Sequence, residues 1–157
     1  MNTQMGSTGQ KSVTPVACIQ SACFACGAEH PHGLGLQFVR EPGGHVVADW
    51  TPSRDWEGFR GIIHGGIVST VLDEAMSKAV ASTGPPSLTC QLEVRFRHSV
   101  LPGEALTVRG WVVERHKRRV LVEAEIRDQA GTEKAHGRAT FLTSAAIHQG
   151  PDFGAAI

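Results

Sequence analysis

One segment constrains the fold more than any other. Residues 66–82 read Gly-Ile-Val-Ser-Thr-Val-Leu-Asp-Glu-Ala-Met-Ser-Lys-Ala-Val-Ala-Ser, and Gly84-Pro85-Pro86 follows. The apolar spacing predicts a helix, and the glycine–proline triplet stops it. At 100° per residue, Ile67, Val68, Val71, Leu72, Ala75, Met76, Ala79 and Val80 spread over an arc of about 220°. A surface helix shows an apolar stripe of roughly 100°. This helix is therefore expected to be wrapped on most of its sides.

The rest of the chain reads as strands. Residues 34–40 and 45–51 alternate apolar and polar positions across the turn Glu41-Pro42-Gly43-Gly44, which predicts a hairpin with Val46, Ala48 and Trp50 on one face. A glycine-rich loop over 52–65 leads into the helix. Four further strands are expected over 88–100, 105–114, 119–128 and 132–143, broken at Pro102-Gly103, at the basic tip His116-Lys117-Arg118 and at Ala130-Gly131. One helix serving six strands predicts an α+β fold, an antiparallel sheet curved around a buried helix. With 157 residues there is room for one such domain. It is expected over 18–146, with flexible tails at 1–17 and 147–157.

Lysine plus arginine equals aspartate plus glutamate, so the chain is formally neutral. That argues against a general nucleic-acid binder. No apolar run reaches the length of a membrane span, and the polar N-terminus lacks the centre of a secretory signal, so a cytoplasmic location is expected. Cys18, Cys23 and Cys26, with His30 and His32 nearby, have a spacing open to zinc. A second Cys-x2-Cys is missing, however, and the expectation is thiols packed under the first strand, with no metal and no cofactor.

The helix carries two acids of different standing. Glu74 lies four residues before Lys78, a pair expected on the solvent side. Asp73 sits at the edge of the apolar arc, and its i±3 and i±4 positions hold no cation. Such an acid is costly to bury unless it is hydrogen-bonded or functional. Just upstream, His64-Gly65-Gly66 opens the helix, where free N–H groups and the positive dipole end favour a developing oxyanion. Glycine there lets a substrate oxygen approach the backbone, and His64 is placed to orient the loop or donate to a carbonyl.

His64-Gly65-Gly66 with Asp73 resembles the hotdog-fold acyl-CoA thioesterases of the PaaI type. The similarity extends to Cys23-Phe24-Ala25-Cys26-Gly27 and Pro31-His32-Gly33-Leu34-Gly35-Leu36 upstream and to Pro102-Gly103-Glu104 downstream. The resemblance implies a six-stranded sheet around a central helix, assembly as a homodimer or dimer of dimers, and active sites between protomers. It implies acyl-CoA thioester hydrolysis, with Asp73 as general base or nucleophile, the Gly65 N–H as oxyanion donor beside His64, and Thr89 of the partner protomer holding the water. Many members carry Asn where this chain has Gly58; a mitochondrial mammalian branch also has Gly there, with Thr at the Thr89 position. Substrate contacts are expected from Gly58, Phe59 and Gly66, and Trp50, Trp56 and Phe96 are further candidates for the pocket wall. Arg97 or the tip Lys117-Arg118-Arg119 is expected to hold the coenzyme phosphates. Two other readings stay open: a non-catalytic acyl-CoA binder, and a hotdog enoyl-CoA hydratase or dehydratase with His64 as base.

Overall fold

The computed structural model describes residues 13–18, 20–85 and 87–143. Of the tails expected at 1–17 and 147–157, residues 1–12 and 147–157 lie outside the described residues. Strand β1 is Thr14–Pro15, β2 Val39–Arg40, β3 Val46–Trp50, β4 Glu57–Phe59 and β5 Ile62–Ile63. Helix α1 spans Gly65–Thr83, and β6 (Ser87–Phe96), β7 (Leu106–His116), β8 (Arg119–Asp128) and β9 (Glu133–Thr143) follow. The main sheet runs β1-β2-β3-β7-β8-β9-β6 with every pair antiparallel. Its inner face wraps α1, the hotdog arrangement expected, with the two-residue β1 added as a seventh strand at one edge.

The period-two pattern places the sheet's contribution to the core. Val46, Ala48 and Trp50 face inward from β3, Val120, Val122, Ala124 and Ile126 from β8, and Ala135, Ala139 and Phe141 from β9. Val71, Leu72, Ala75, Met76 and Ala79 meet them from the helix with no exposed surface. The approach is closest over β7. A side chain on Gly110 would put its Cβ 2.5 Å from the Ala75 carbonyl oxygen, so only glycine lets the helix backbone lie on that strand.

The details differ from expectation in four places, each for a local reason. Leu34, Leu36 and Phe38 alternate into the core as expected, yet only Val39–Arg40 is paired as strand. The Leu34 and Leu36 N–H groups donate instead to the Phe24 and Ala25 carbonyls. Residues 13–17 are no loose tail: Thr14–Pro15 pairs with Val39–Arg40, and Val16 N–H donates to Phe38 O at 2.9 Å. The loop over 52–65 contains a 3-10 turn at Arg54–Trp56 capped by Ser53, then the β4–β5 pair that delivers residue 64 to the helix start. Finally, the Glu74–Lys78 pair does not face solvent. Lys78 is buried, its Nζ lies 3.5 Å from Glu74 Oε1 and donates to Ala17 O at 3.0 Å, and the N-terminal segment covers both.

Candidate active site

The helix start is assembled by β4 and β5. Trp56 O accepts from the His64 N–H and Val100 O from the Ile63 N–H, so the chain enters α1 at a fixed angle. His64 is the N-cap: its Nδ1 accepts the Gly66 N–H at 2.9 Å. That bond fixes the tautomer, because Nδ1 must be unprotonated and the neutral ring then carries its proton on Nε2. A Cβ on Gly66 would lie 2.9 Å from Nδ1, and one on Gly58 would lie 2.9 Å from His64 Cδ2 and 3.1 Å from its Cα. Both glycines make room for the capping ring. Gly58 stands where an asparagine was expected in many relatives, and here the histidine occupies that space.

The Gly65 N–H, at the first helical position, has no protein acceptor among the described residues. It opens onto a cleft of about 510 Å³ lined by Gly58, Phe59, Ile62, His64, Gly65 and Phe96 on one wall and Arg97, His98 and Ser99 on another. Phe59 and Phe96 are largely exposed, at 81% and 58%, an apolar rim unusual on a closed surface. Gly66 does not line the cleft; its N–H is engaged by the cap.

Asp73 lies farther along the helix. Its carboxylate is half-buried, and Oδ1 accepts from the Thr89 hydroxyl at 2.8 Å. No cation pairs with it among the described residues. Burial holds its carboxyl above the usual range, and Glu74 beside it pushes the same way; the Thr89 hydrogen bond opposes both. Thr89 therefore belongs to the same chain as the aspartate it serves, not to a partner as expected. The short turn after α1 sends β6 back along the helix, and that alone brings residue 89 beside residue 73.

A second correction follows from helix geometry. Eight residues separate Gly65 from Asp73, a rise of about 12 Å. The free amide and the carboxylate of one chain thus do not address the same atom. The structure brings Gly58, Phe59, His64, Gly65 and Arg97 together in the cleft, and Asp73 with Thr89 in a separate half-site. Lys117 and Arg118 form the β7–β8 turn and Arg119 opens β8, beyond the C-terminal end of α1, where Arg115 donates to Thr83 Oγ1 and Arg118 Nε to Thr143 O. In one chain they are remote from the cleft but on the Thr89 side of the sheet. Arg97 reaches the cleft with its Nε already held by Glu133 at 3.1 Å.

Of the aromatic candidates for the pocket, Phe59 and Phe96 line the cleft. Trp50 is buried in the core and Trp56 packs against it. Ile62, Ile63, Val68, Ser99 and Val100 also line the cleft without having been anticipated. A two-residue strand such as Ile62–Ile63 and a loop such as 99–100 are too short to show a periodicity.

Residues 60–135 match the family model of the thioesterase superfamily. An uncharacterized protein of Schizosaccharomyces pombe is 33% identical over 61 residues, which cover 38% of this chain and 35% of that protein; the match spans about a third of that relative's length. Among solved structures, a thioesterase superfamily protein superposes with a TM-score of 0.75 at 23% identity, over 78% of this chain and 60% of its own. The Escherichia coli PaaI protein from the phenylacetic acid degradation operon gives 0.66 at 22% identity, over 71% and 80%. A hypothetical thioesterase protein from Streptococcus pneumoniae, solved with coenzyme A, gives 0.63 at 23% identity, over 67% and 83%. Mutant structures of that last protein replace an aspartate and a threonine by alanine at the same separation as Asp73 and Thr89.

Proposed function

We propose that this chain, whose residues 60–135 match the thioesterase-superfamily model and whose fold is the hotdog arrangement, hydrolyses acyl-CoA thioesters in a cleft shared by two copies. The observation that carries the reading is the half-buried, cation-free Asp73 held by the Thr89 hydroxyl at 2.8 Å. That an aspartate and a threonine at this same separation were the residues replaced in the S. pneumoniae protein supports the reading.

The thioester carbonyl sits against the Gly65 N–H, whose dipole and missing partner favour the developing oxyanion. His64 fixes that amide by capping the helix and offers its Nε2 proton to the same region. Asp73 of the second copy reaches the carbonyl carbon from the opposite side, either removing a proton from water or attacking directly. Thr89 orients the carboxylate or its water. Two copies are needed because one helix holds its amide and its acid about 12 Å apart. The exposed edge strand β6, with Leu92 and Phe96 uncovered, is the surface on which the second copy pairs, giving a homodimer or a dimer of dimers. Phe59, Phe96 and Gly58 line the acyl side. Arg97, or Lys117, Arg118 and Arg119 of the second copy, meets the coenzyme phosphates. No described helix is long and apolar enough to cross a membrane.

Thiol release is the test, measured across short, medium, long and aromatic acyl-CoAs beside an enoyl-CoA hydration assay. Asp73→Asn is expected to reduce thioester hydrolysis by orders of magnitude with an unchanged circular dichroism spectrum. Full activity in that variant removes Asp73 from the chemistry, and binding without turnover in the wild type supports an acyl-CoA binding module instead.

A further inference from the structure

Three cysteines and one acid converge on a face of α1 that the proposed chemistry does not use. We propose that Cys18, Cys23, Cys26 and Glu74 form a structural site for one zinc ion. The ligand atoms of Cys23, Cys26 and Glu74 all lie within 4.8 Å of one another, and Cys18 Sγ lies 2.9 Å from Cys26 Sγ. They come from three separate segments: the stretch after β1, the tight turn before β2, and the helix. Nothing in the packing of the sheet requires two thiols to meet a carboxylate there with a third thiol against one of them.

The turn is built to present sulfur. Cys23 N–H donates to Gln20 O at 3.0 Å and Gly27 N–H to Cys23 O at 2.8 Å, so two reversals follow each other and both thiols of Cys23-x2-Cys26 project to one side. Gly27 closes the turn so tightly that a Cβ there would lie 2.3 Å from Ser21 O and 2.4 Å from Cys23 N. Only glycine fits, as in the closed cysteine turns that ligate zinc.

Ligand chemistry selects the ion. Three soft thiolates and one carboxylate make a closed tetrahedral set that suits zinc and disfavours magnesium or calcium. Zinc offsets two of the four negative charges, and the Lys78 ammonium, 3.5 Å from Glu74 Oε1, offsets another. Two thiolates on one zinc stand ~3.8 Å apart when each Zn–S bond is ~2.3 Å. Cys18 is exposed, so its side chain can open the present contact to that separation without moving the core. The ion would tie the N-terminal segment to the helix. It would also correct the expectation, drawn from the missing second Cys-x2-Cys, that these residues are simple packed thiols: Glu74 supplies the fourth ligand from elsewhere in the chain.

The test uses the full chain, purified without chelator from zinc-supplemented medium. Inductively coupled plasma mass spectrometry is expected to find about one zinc per chain, released when an organomercurial titrates the thiols. Cobalt substitution is expected to give thiolate-to-cobalt charge-transfer absorption and tetrahedral ligand-field bands. Cys90→Ser retains the metal, whereas Cys23→Ser and Glu74→Gln bind it more weakly. The wild-type readouts need no variant to fold. Metal-free protein with all its thiols titratable overturns the proposal, and so does an intact mass about two daltons light that maps to a Cys18–Cys26 disulfide.

Discussion

Gly65→Pro separates the oxyanion donor from everything else at the helix start. Proline is accepted at the first helical position because its φ near −65° is helical and the lost amide has no intrahelical partner. His64 already has the extended backbone that a following proline requires, with φ −59° and ψ 133°. A side chain at 65 meets only the Phe96 ring, at 3.5 Å. The helix and its histidine cap should persist while one donor is lost, which costs ~10²–10³ in kcat, or about 2.7–4 kcal/mol. Asp73→Asn disables the other half-site. Each variant alone should therefore fall to ~1% of wild-type activity or below. Mixed dimers behave differently. Random reassortment makes half of all dimers mixed, and in each of them one of two clefts pairs the intact Gly65 of one chain with the intact Asp73 of the other. The mixture should recover about a quarter of the wild-type rate, a value set only by two-fold symmetry. Coexpression with two different affinity tags, or joint refolding, followed by thiol release at saturating acyl-CoA, measures it. If Gly65 and Asp73 of one chain served one cleft, every cleft of a mixed dimer would carry one lesion, and the mixture would be as inactive as its parents. That result would refute the shared cleft.

The remaining predictions are simpler. Thr89→Ala removes the hydrogen bond that favours the ionised Asp73, so its carboxyl rises further and the acidic limb of the pH–rate profile moves to higher pH; Thr89→Ser is expected to keep the wild-type limb. Gly58→Ala drives a Cβ into the His64 ring, and losing the cap should cost ~0.5–2 kcal/mol in denaturant melts together with a fall in kcat. Gly110→Ala presses a methyl on the Ala75 carbonyl; overpacking of ~1–3 kcal/mol should lower Tm by roughly 2–12 °C with little change in the kcat of the folded enzyme. A Gly110→Ala protein as stable as wild type would show that the helix does not lie on β7 at that distance.

What could be read from the sequence divides along one physical line. Patterns that act within a few residues were legible: the wide apolar arc of 66–82, the alternation of Val46, Ala48 and Trp50, and the breaks at Pro102-Gly103, at His116-Lys117-Arg118 and at Ala130-Gly131 that separate β6, β7, β8 and β9. Asp73 stood out for the same reason, since the absence of a cation at i±3 and i±4 is a local fact. Contacts across the chain were not legible. Lys78 reads as solvated because nothing near it in sequence announces that the Ala17 carbonyl returns to accept its hydrogen bond. The space Gly58 leaves for His64 is likewise invisible until β4 and β5 pair.

The proposed division of the active site between two copies belongs to a third kind. The rise of a helix already dictates about 12 Å between an amide at residue 65 and a carboxylate at residue 73, so reading them as neighbours asked more of one helix than its geometry allows. In the proposed mechanism, chemistry that uses both is therefore a property of two chains. A sequence encodes such a contact only indirectly, by leaving apolar side chains where a single chain has nothing to cover them. Leu92 and Phe96 on β6, exposed at 38% and 58% along an edge strand with no fully buried residue, carry that signature. An uncovered apolar edge on a stable fold is a liability unless it is paired, and the same pairing would bring each Gly65 to the other chain's Asp73.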